Sequence, residues 1–197
     1  MKIEKLDLSN NITVYSYKYD WAISRDRIID KVYKNYTLEG LNGNTSNIIL
    51  RCNEFQKIHN IAYEICKSLT EINDEDYLDD NFIYIQDKKP IHRRIKGFHN
   101  HTSSLSKKQQ IENDWTYCFY LQLPKNIVEN EGKLTFEDKN NSKVHYSPSE
   151  GEILIFKADI NHIPEPTPNA ECDRITIVGV FAFNTNIKLN NNYKSIL

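Results

Sequence analysis

Trp115-Thr116-Tyr117-Cys118-Phe119-Tyr120-Leu121-Gln122-Leu123 decides the fold class. Side chains alternate across a strand, so Thr116, Cys118, Tyr120 and Gln122 share one face, and Trp115, Tyr117, Phe119, Leu121 and Leu123 share the other. Phe82–Ile85, Lys133–Phe136, Ile153–Phe156 and Ile175–Phe183 read the same way, with Pro, Asn and Gly clustered between them. Short strands at this spacing predict a sandwich or barrel.

Upstream the period is helical. Ser24–Tyr36 places Ile28, Ile29, Val32, Tyr33 and Tyr36 on one face. Glu54–Leu69 does so with Phe55, Ile58, Ile61, Ala62, Ile65, Cys66 and Leu69. Asn53 can cap this helix, and Gln56 three residues on resembles a capping box. Leu41–Asn47 reads as a loop and acidic Asn73–Asp80 as a solvated one. The expected order is helices first, then strands, with the helices laid on the outside of one sheet.

The 197 residues suffice for one domain. The formal net charge of −2, with both signs mixed along the chain, marks no nucleic-acid face. No run approaches the roughly 18 apolar residues that span a bilayer. The start carries charges and does not read as a secretory signal. Cys52, Cys66, Cys118 and Cys172 lie far apart, so reduced thiols and a cytoplasmic protein are expected. The amino-terminal helices could buttress the sheet or make a homodimer.

Among the six histidines, His99-Asn100-His101 is the informative pair. On a strand, i and i+2 point the same way, so two imidazoles can meet one metal. His162 is the best third ligand: it follows the strand Gly151-Glu-Ile-Leu-Ile-Phe156 and precedes the rigid turn Ile163-Pro-Glu-Pro166. Asp114, before the Trp115 strand, could supply a carboxylate from a loop in place of His101. Arg174 and Thr176 also share a strand face, presenting a planar fork and a hydroxyl to a carboxylate. An open metal beside that clamp suits a 2-oxo acid. The plainer reading pairs Arg174 with Asp173 or Glu171 at the surface. His59 faces the polar side of its helix and reads as solvated. His92 and His145 lie in polar segments and read as exposed. Cys118 reads as a small filler.

His99-x-His101, Thr116–Pro124, Gly132-Lys-Leu-Thr-Phe136, Gly151–Phe156, His162 and Arg174-Ile-Thr176, in this order, resemble the iron(II)/2-oxoglutarate oxygenase superfamily. The pattern is similar to an oxygenase group of phages and marine bacteria, and more distantly to prolyl hydroxylases. The resemblance implies an α+β, mainly β chain: a double-stranded β-helix (jelly roll) over 81–185, mainly helical support over 1–80 packed on one sheet, and a tail over 186–197. It implies Fe(II) on His99 and His162, with His101 where the family usually has a carboxylate. It also implies 2-oxoglutarate held by Arg174, Thr176 and Tyr120, with Thr116 on the pocket face. The activity implied is hydroxylation of a small-molecule or peptidyl substrate with release of succinate and carbon dioxide. The polar segment Thr102–Asp114 is expected to form a lid. Two other readings compete: a cupin-like three-His iron enzyme without 2-oxoglutarate, and a non-catalytic module in which His99 and His162 point apart.

Overall fold

The computed structural model describes residues 2–21, 25–35, 53–70, 77–86, 97–101, 114–128, 131–167 and 169–183. The expected loop over 41–47, the segments 92–96 and 102–113, Cys52 and the tail lie outside these residues.

The chain opens with a hairpin, not a helix. Strands β1 (Glu4–Ser9) and β2 (Ile12–Lys18) pair antiparallel around Asn10-Asn11. The expected order is therefore corrected, and two strands lie within the stretch read as helical support. The signal was present: Leu6 and Leu8, then Ile12 and Val14, alternate towards one face and pack in one apolar cluster. Helices α1 (Arg25–Asn35) and α2 (Asn53–Thr70) follow. Then come β3 (Tyr77–Gln86), β4 (Asp114–Gln122), β5 (Leu134–Glu137), β6 (Lys143–Tyr146), β7 (Glu152–Lys157), β8 (Asn161–Pro164) and β9 (Arg174–Phe183). β3 begins inside the stretch read as an acidic loop. It is an edge strand paired with β9 over its whole length.

The strands form a six-stranded sheet, β1-β2-β7-β4-β9-β3, and a three-stranded sheet, β6-β5-β8. All the described pairings are antiparallel. The chain is thus mostly β, with few helices. Two apolar clusters divide the core. One holds Ile28, Ile29 and Val32 of α1 and Phe55, Ile58, Ala62 and Ile65 of α2 against Trp115, Tyr117, Phe119 and Ile155 of the large sheet. Full burial of Phe55, Ile58 and Ile65 contributes about 1.5–3 kcal/mol for each side chain. The other cluster lies between the sheets and joins Val14, Cys118, Tyr120, Leu154, Phe156 and Val178 to Leu134 and Phe136.

Three local expectations are corrected. His59 is buried in the first cluster, its Nδ1 3.4 Å from Tyr117 Oη and its ring 5.0 Å from Phe181. The buried stripe of α2 is wide enough to include it. Gln56 reaches forward to Asn60 Oδ1 at 3.0 Å, so the capping box does not form. A register shift between Tyr120 and Gln122 breaks the alternation of β4. Leu121 stays under the helices and Leu123 packs on the inter-sheet cluster. Gln122 donates to Tyr33 Oη of α1 at 3.3 Å and to the Asp173 carbonyl at 2.8 Å.

Gly151 locks β7 against its neighbours. Its N–H donates to the Tyr120 carbonyl, and its own carbonyl accepts from Tyr19 N, both at 2.8 Å. Its φ is +77°, and a Cβ there would lie 2.6 Å from Trp21 Nε1 and 3.0 Å from the Tyr19 carbonyl. Gly151→Ala is expected to destabilise the protein by about 3 kcal/mol, combining left-handed strain with overpacking. Urea unfolding checks this, and a loss below about 1 kcal/mol would contradict it.

Candidate metal centre

The two sheets meet where β7 leaves the large one. Residues 158–160 carry the chain across, and β8 starts at once in the small sheet. This short link sets His162, only 3% exposed, inward at the junction. Across from it, His99 forms an isolated bridge. Its N–H donates to the His162 carbonyl at 3.0 Å, and His162 N–H returns the bond at 2.8 Å. His101 N–H is fixed to the Ala158 carbonyl at 2.9 Å.

These backbone bonds bring three imidazoles together. Ring centroids are 4.4 Å apart for His99 and His162, 5.0 Å for His101 and His162, and 5.2 Å for His99 and His101. One ligand nitrogen from each lies within 4.8 Å of the others. Such a set can hold a divalent metal from one side. The expected contrary geometry, with His99 and His162 pointing apart, is not the one observed.

The donor chemistry fits. His162 Nδ1 lies 3.0 Å from the Ile160 carbonyl, which assigns its proton there and leaves Nε2 as the ligand. His99 Nδ1 is buried without a hydrogen-bond partner. Burial pushes all three imidazoles towards the neutral form that binds metals. His101 falls to about 4, His162 falls well below its ordinary value, and His99 also shifts down. Phe156 and Phe136, 4.9 and 6.3 Å from the His162 ring, wall the site with apolar surface.

Arg174 is 1% exposed. Its Nη1 donates to the Gly132 carbonyl at 3.1 Å, and its guanidinium lies 5.4 Å from the Tyr120 ring centroid. Among the described residues no carboxylate pairs with it. The surface-pairing reading is corrected: Glu171 accepts from Lys125 and Asn126 N–H, and Asp173 accepts from Tyr33 Oη. Arg174 Nε, Tyr120 Oη and Thr176 Oγ1 are buried with no partner among the described residues. Together with His99, His101, His162, Cys118, Leu134, Pro164 and Val178 they line a cavity of about 50 Å³. A buried guanidinium with unsatisfied hydroxyls beside it is costly unless an anion completes it. Burial pushes the Cys118 thiol up to about 12, so it stays protonated and fills space.

Thr116 shares the inward face of β4, and its hydroxyl is buried without a partner, but it is not among the residues lining this cavity. His145 is exposed and lies 2.8 Å from Thr135 Oγ1. Asp114 is 6% exposed and stands outside the histidine cluster. Sequence reasoning missed the Gly132 carbonyl that anchors Arg174, the Ile160 carbonyl that orients His162, and the Phe136 and Phe156 walls. Only the phenylalanines left a signal, the alternation within their strands.

Burial raises the Asp114 carboxyl to about 6. Between the unfolded value near 3.8 and this one, the unfolded chain gives up its proton first, so wild-type stability falls as pH rises through that window. Asp114→Asn removes the effect. Its stability advantage is expected to grow from pH 4 to pH 6 and level above, reaching about 1 kcal/mol once solvent screening is allowed for. Urea titrations across that range check it. An advantage that shrinks with rising pH would refute it.

No family model matches the chain, and a search of curated proteins finds no match. Solved structures do resemble it. A Pseudomonas putida prolyl-4-hydroxylase aligns at 12% identity over 90% of this chain and 92% of its own, with a TM-score of 0.55. An N-substituted L-amino acid dioxygenase from Burkholderia ambifaria aligns at 12% identity over 88% and 83%, with a TM-score of 0.44. A 2OG-Fe(II) oxygenase family oxidoreductase from Burkholderia pseudomallei aligns at 11% over 91% and 71%, with a TM-score of 0.41. The two sheets that bring His99, His101, His162 and Arg174 to one cavity are therefore the fold that this chain shares with the Pseudomonas putida prolyl-4-hydroxylase.

Proposed function

We propose that the protein is an iron(II)- and 2-oxoglutarate-dependent oxygenase of the hydroxylase type, built on a double-stranded β-helix. One observation carries the reading: a neutral three-imidazole cluster and a buried arginine with no anionic partner among the described residues line the same small cavity. His99, His101 and His162 would hold the metal. Arg174, with Tyr120 and Thr176, would grip the far carboxylate of 2-oxoglutarate. With iron(II) and the 2-oxo acid held there, dioxygen would be the oxidant: one of its oxygen atoms would end in the substrate hydroxyl and the other in the succinate left when 2-oxoglutarate loses carbon dioxide.

The chain's own part is to bind, orient and exclude water. The Ile160 carbonyl fixes the His162 ring. The Gly132 carbonyl aims the guanidinium. Phe136 and Phe156 keep the metal end dry. A metal on three neutral ligands carries one more positive charge than one on two histidines and a carboxylate, which strengthens its pull on an anionic co-substrate. A three-His enzyme without a 2-oxo acid leaves the Arg174 clamp unexplained. The test is release of succinate from 2-oxoglutarate with Fe(II) and oxygen. Metal-dependent succinate formation supports the reading. None, from folded metal-loaded protein presented with a broad metabolite and peptide mixture, overturns it.

A further inference from the structure

A second hollow is lined by Gly132 and Lys133, whose carbonyls accept from Arg174 Nη1 at 3.1 and 3.4 Å. It measures about 380 Å³, the size of a small-molecule site, and shares no lining residue with the metal cavity. Leu123, Pro124, Ile127, Val128 and Pro148 give it apolar walls. Ile127 is 40% and Val128 56% exposed, and among the described residues Tyr33 is the one other large apolar side chain left in water. Two such side chains beside one hollow mark a contact surface. Two acids line it as well, and they differ. Glu150 is satisfied: its carboxylate accepts from Arg25 Nε at 3.1 Å, Arg25 Nη2 at 2.9 Å and Leu123 N–H at 2.8 Å. Glu131 is only half satisfied. It is 9% exposed, its Oε1 accepts from Asn169 Nδ2 at 2.7 Å, and its Oε2 is buried with no partner among the described residues. None of the ion pairs among those residues includes it. A carboxylate oxygen in that state is costly until a donor completes it. The backbone holds Glu131 in place, since its N–H donates to the Val128 carbonyl at 3.1 Å and Gly132 turns the chain at a φ of +66°. Lys125, which is exposed, and Lys133 also line the hollow.

We propose that this hollow is a second binding site, separate from the metal cavity, for a zwitterion of amino-acid type with an apolar side chain. The ligand's ammonium completes Glu131, its carboxylate meets the lysines, and its side chain covers Ile127 and Val128. A simple amine would leave the lysines unanswered, and a simple acid would leave Glu131 unpaired. Charge-assisted bonds in a partly desolvated site discriminate strongly between such ligands. The binding does not depend on the oxygenase reading.

The test uses the full chain without added metal or 2-oxoglutarate. Calorimetry compares L-leucine and L-phenylalanine with their deaminated counterparts, 4-methylpentanoate and 3-phenylpropanoate, and their decarboxylated ones, 3-methylbutylamine and 2-phenylethylamine. At least one of the two amino acids is expected to bind about 10-fold or more tightly than both of its counterparts. Glu131→Gln keeps the acceptor for Asn169 but not the charge, and should abolish the advantage over the deaminated probe. Lys125→Met should shrink the advantage over the amine. Ile127→Ser, at an exposed position that the fold tolerates, should weaken binding of the amino acid several-fold with an unchanged melting temperature. His162→Ala should leave that binding as it is. Binding of neither amino acid, binding no tighter than that of the counterparts, an advantage that survives in Glu131→Gln, or binding that is lost in His162→Ala or untouched by Ile127→Ser overturns the proposal.

Discussion

His162→Ala is expected to lower Fe(II) affinity by about 100-fold or more, while the metal-free protein still folds. Changes to groups that only orient a ligand already cost about 10–100-fold, and His162 is proposed to touch the metal itself. It is also the hub of the cluster, with its ring 4.4 and 5.0 Å from the other two. The fold should tolerate the loss. The backbone bonds from His162 to His99 do not depend on the side chain. The void left against Phe156 and Phe136 is expected to cost about 2 kcal/mol. Anaerobic calorimetry with Fe(II), beside urea unfolding of the metal-free chain, separates the two effects. Unchanged affinity would remove His162 from the ligand set.

Arg174→Met should split the site the other way. Metal affinity should hold, and affinity for 2-oxoglutarate should fall by about 2–5 kcal/mol, roughly 30-fold to several thousand-fold. Arg174 is fully buried, and its only hydrogen-bond partners among the described residues are backbone carbonyls. Replacing it with an unbranched apolar chain removes an uncompensated charge, so stability should hold or rise. Arg174→Lys keeps the charge but loses the fork, and should recover only part of the affinity. Equal affinity for 2-oxoglutarate in Arg174→Met and wild type would refute the clamp.

How much of this was legible beforehand depended on the kind of signal. Arg174 and Thr176 could be read because strand periodicity fixes which side i and i+2 face, whereas His99 and His101 meet although only His99 forms an isolated bridge and His101 lies in a bend. The strand cores around Tyr117, Ile155 and Val178 were equally plain. The amino-terminal hairpin was harder. Leu6, Leu8, Ile12 and Val14 alternate, but Lys5, Asp7 and the two asparagines mask them, and an edge hairpin needs only one apolar face. β3 hid behind Asp79 and Asp80 for the same reason. His59 was misjudged because one apolar stripe on a helix does not say how deeply the helix sinks into its sheet. The bulge after Tyr120, which sends Leu123 inward, is a tertiary feature with no local mark. Asp114 was read as a possible ligand because it stood near the right place in the chain. In the fold the ligand nitrogens of His99, His101 and His162 gather within 4.8 Å of one another, and Asp114 is not among them.

The most direct test of the account is an anaerobic optical titration of the purified chain with Fe(II) and then 2-oxoglutarate. A weak visible charge-transfer band is expected that needs both additions and saturates at one of each per chain. The band should disappear in His162→Ala and require far more 2-oxoglutarate in Arg174→Met. A chain that binds Fe(II) yet shows no band at saturating 2-oxoglutarate, or that binds no Fe(II) at all, would contradict it.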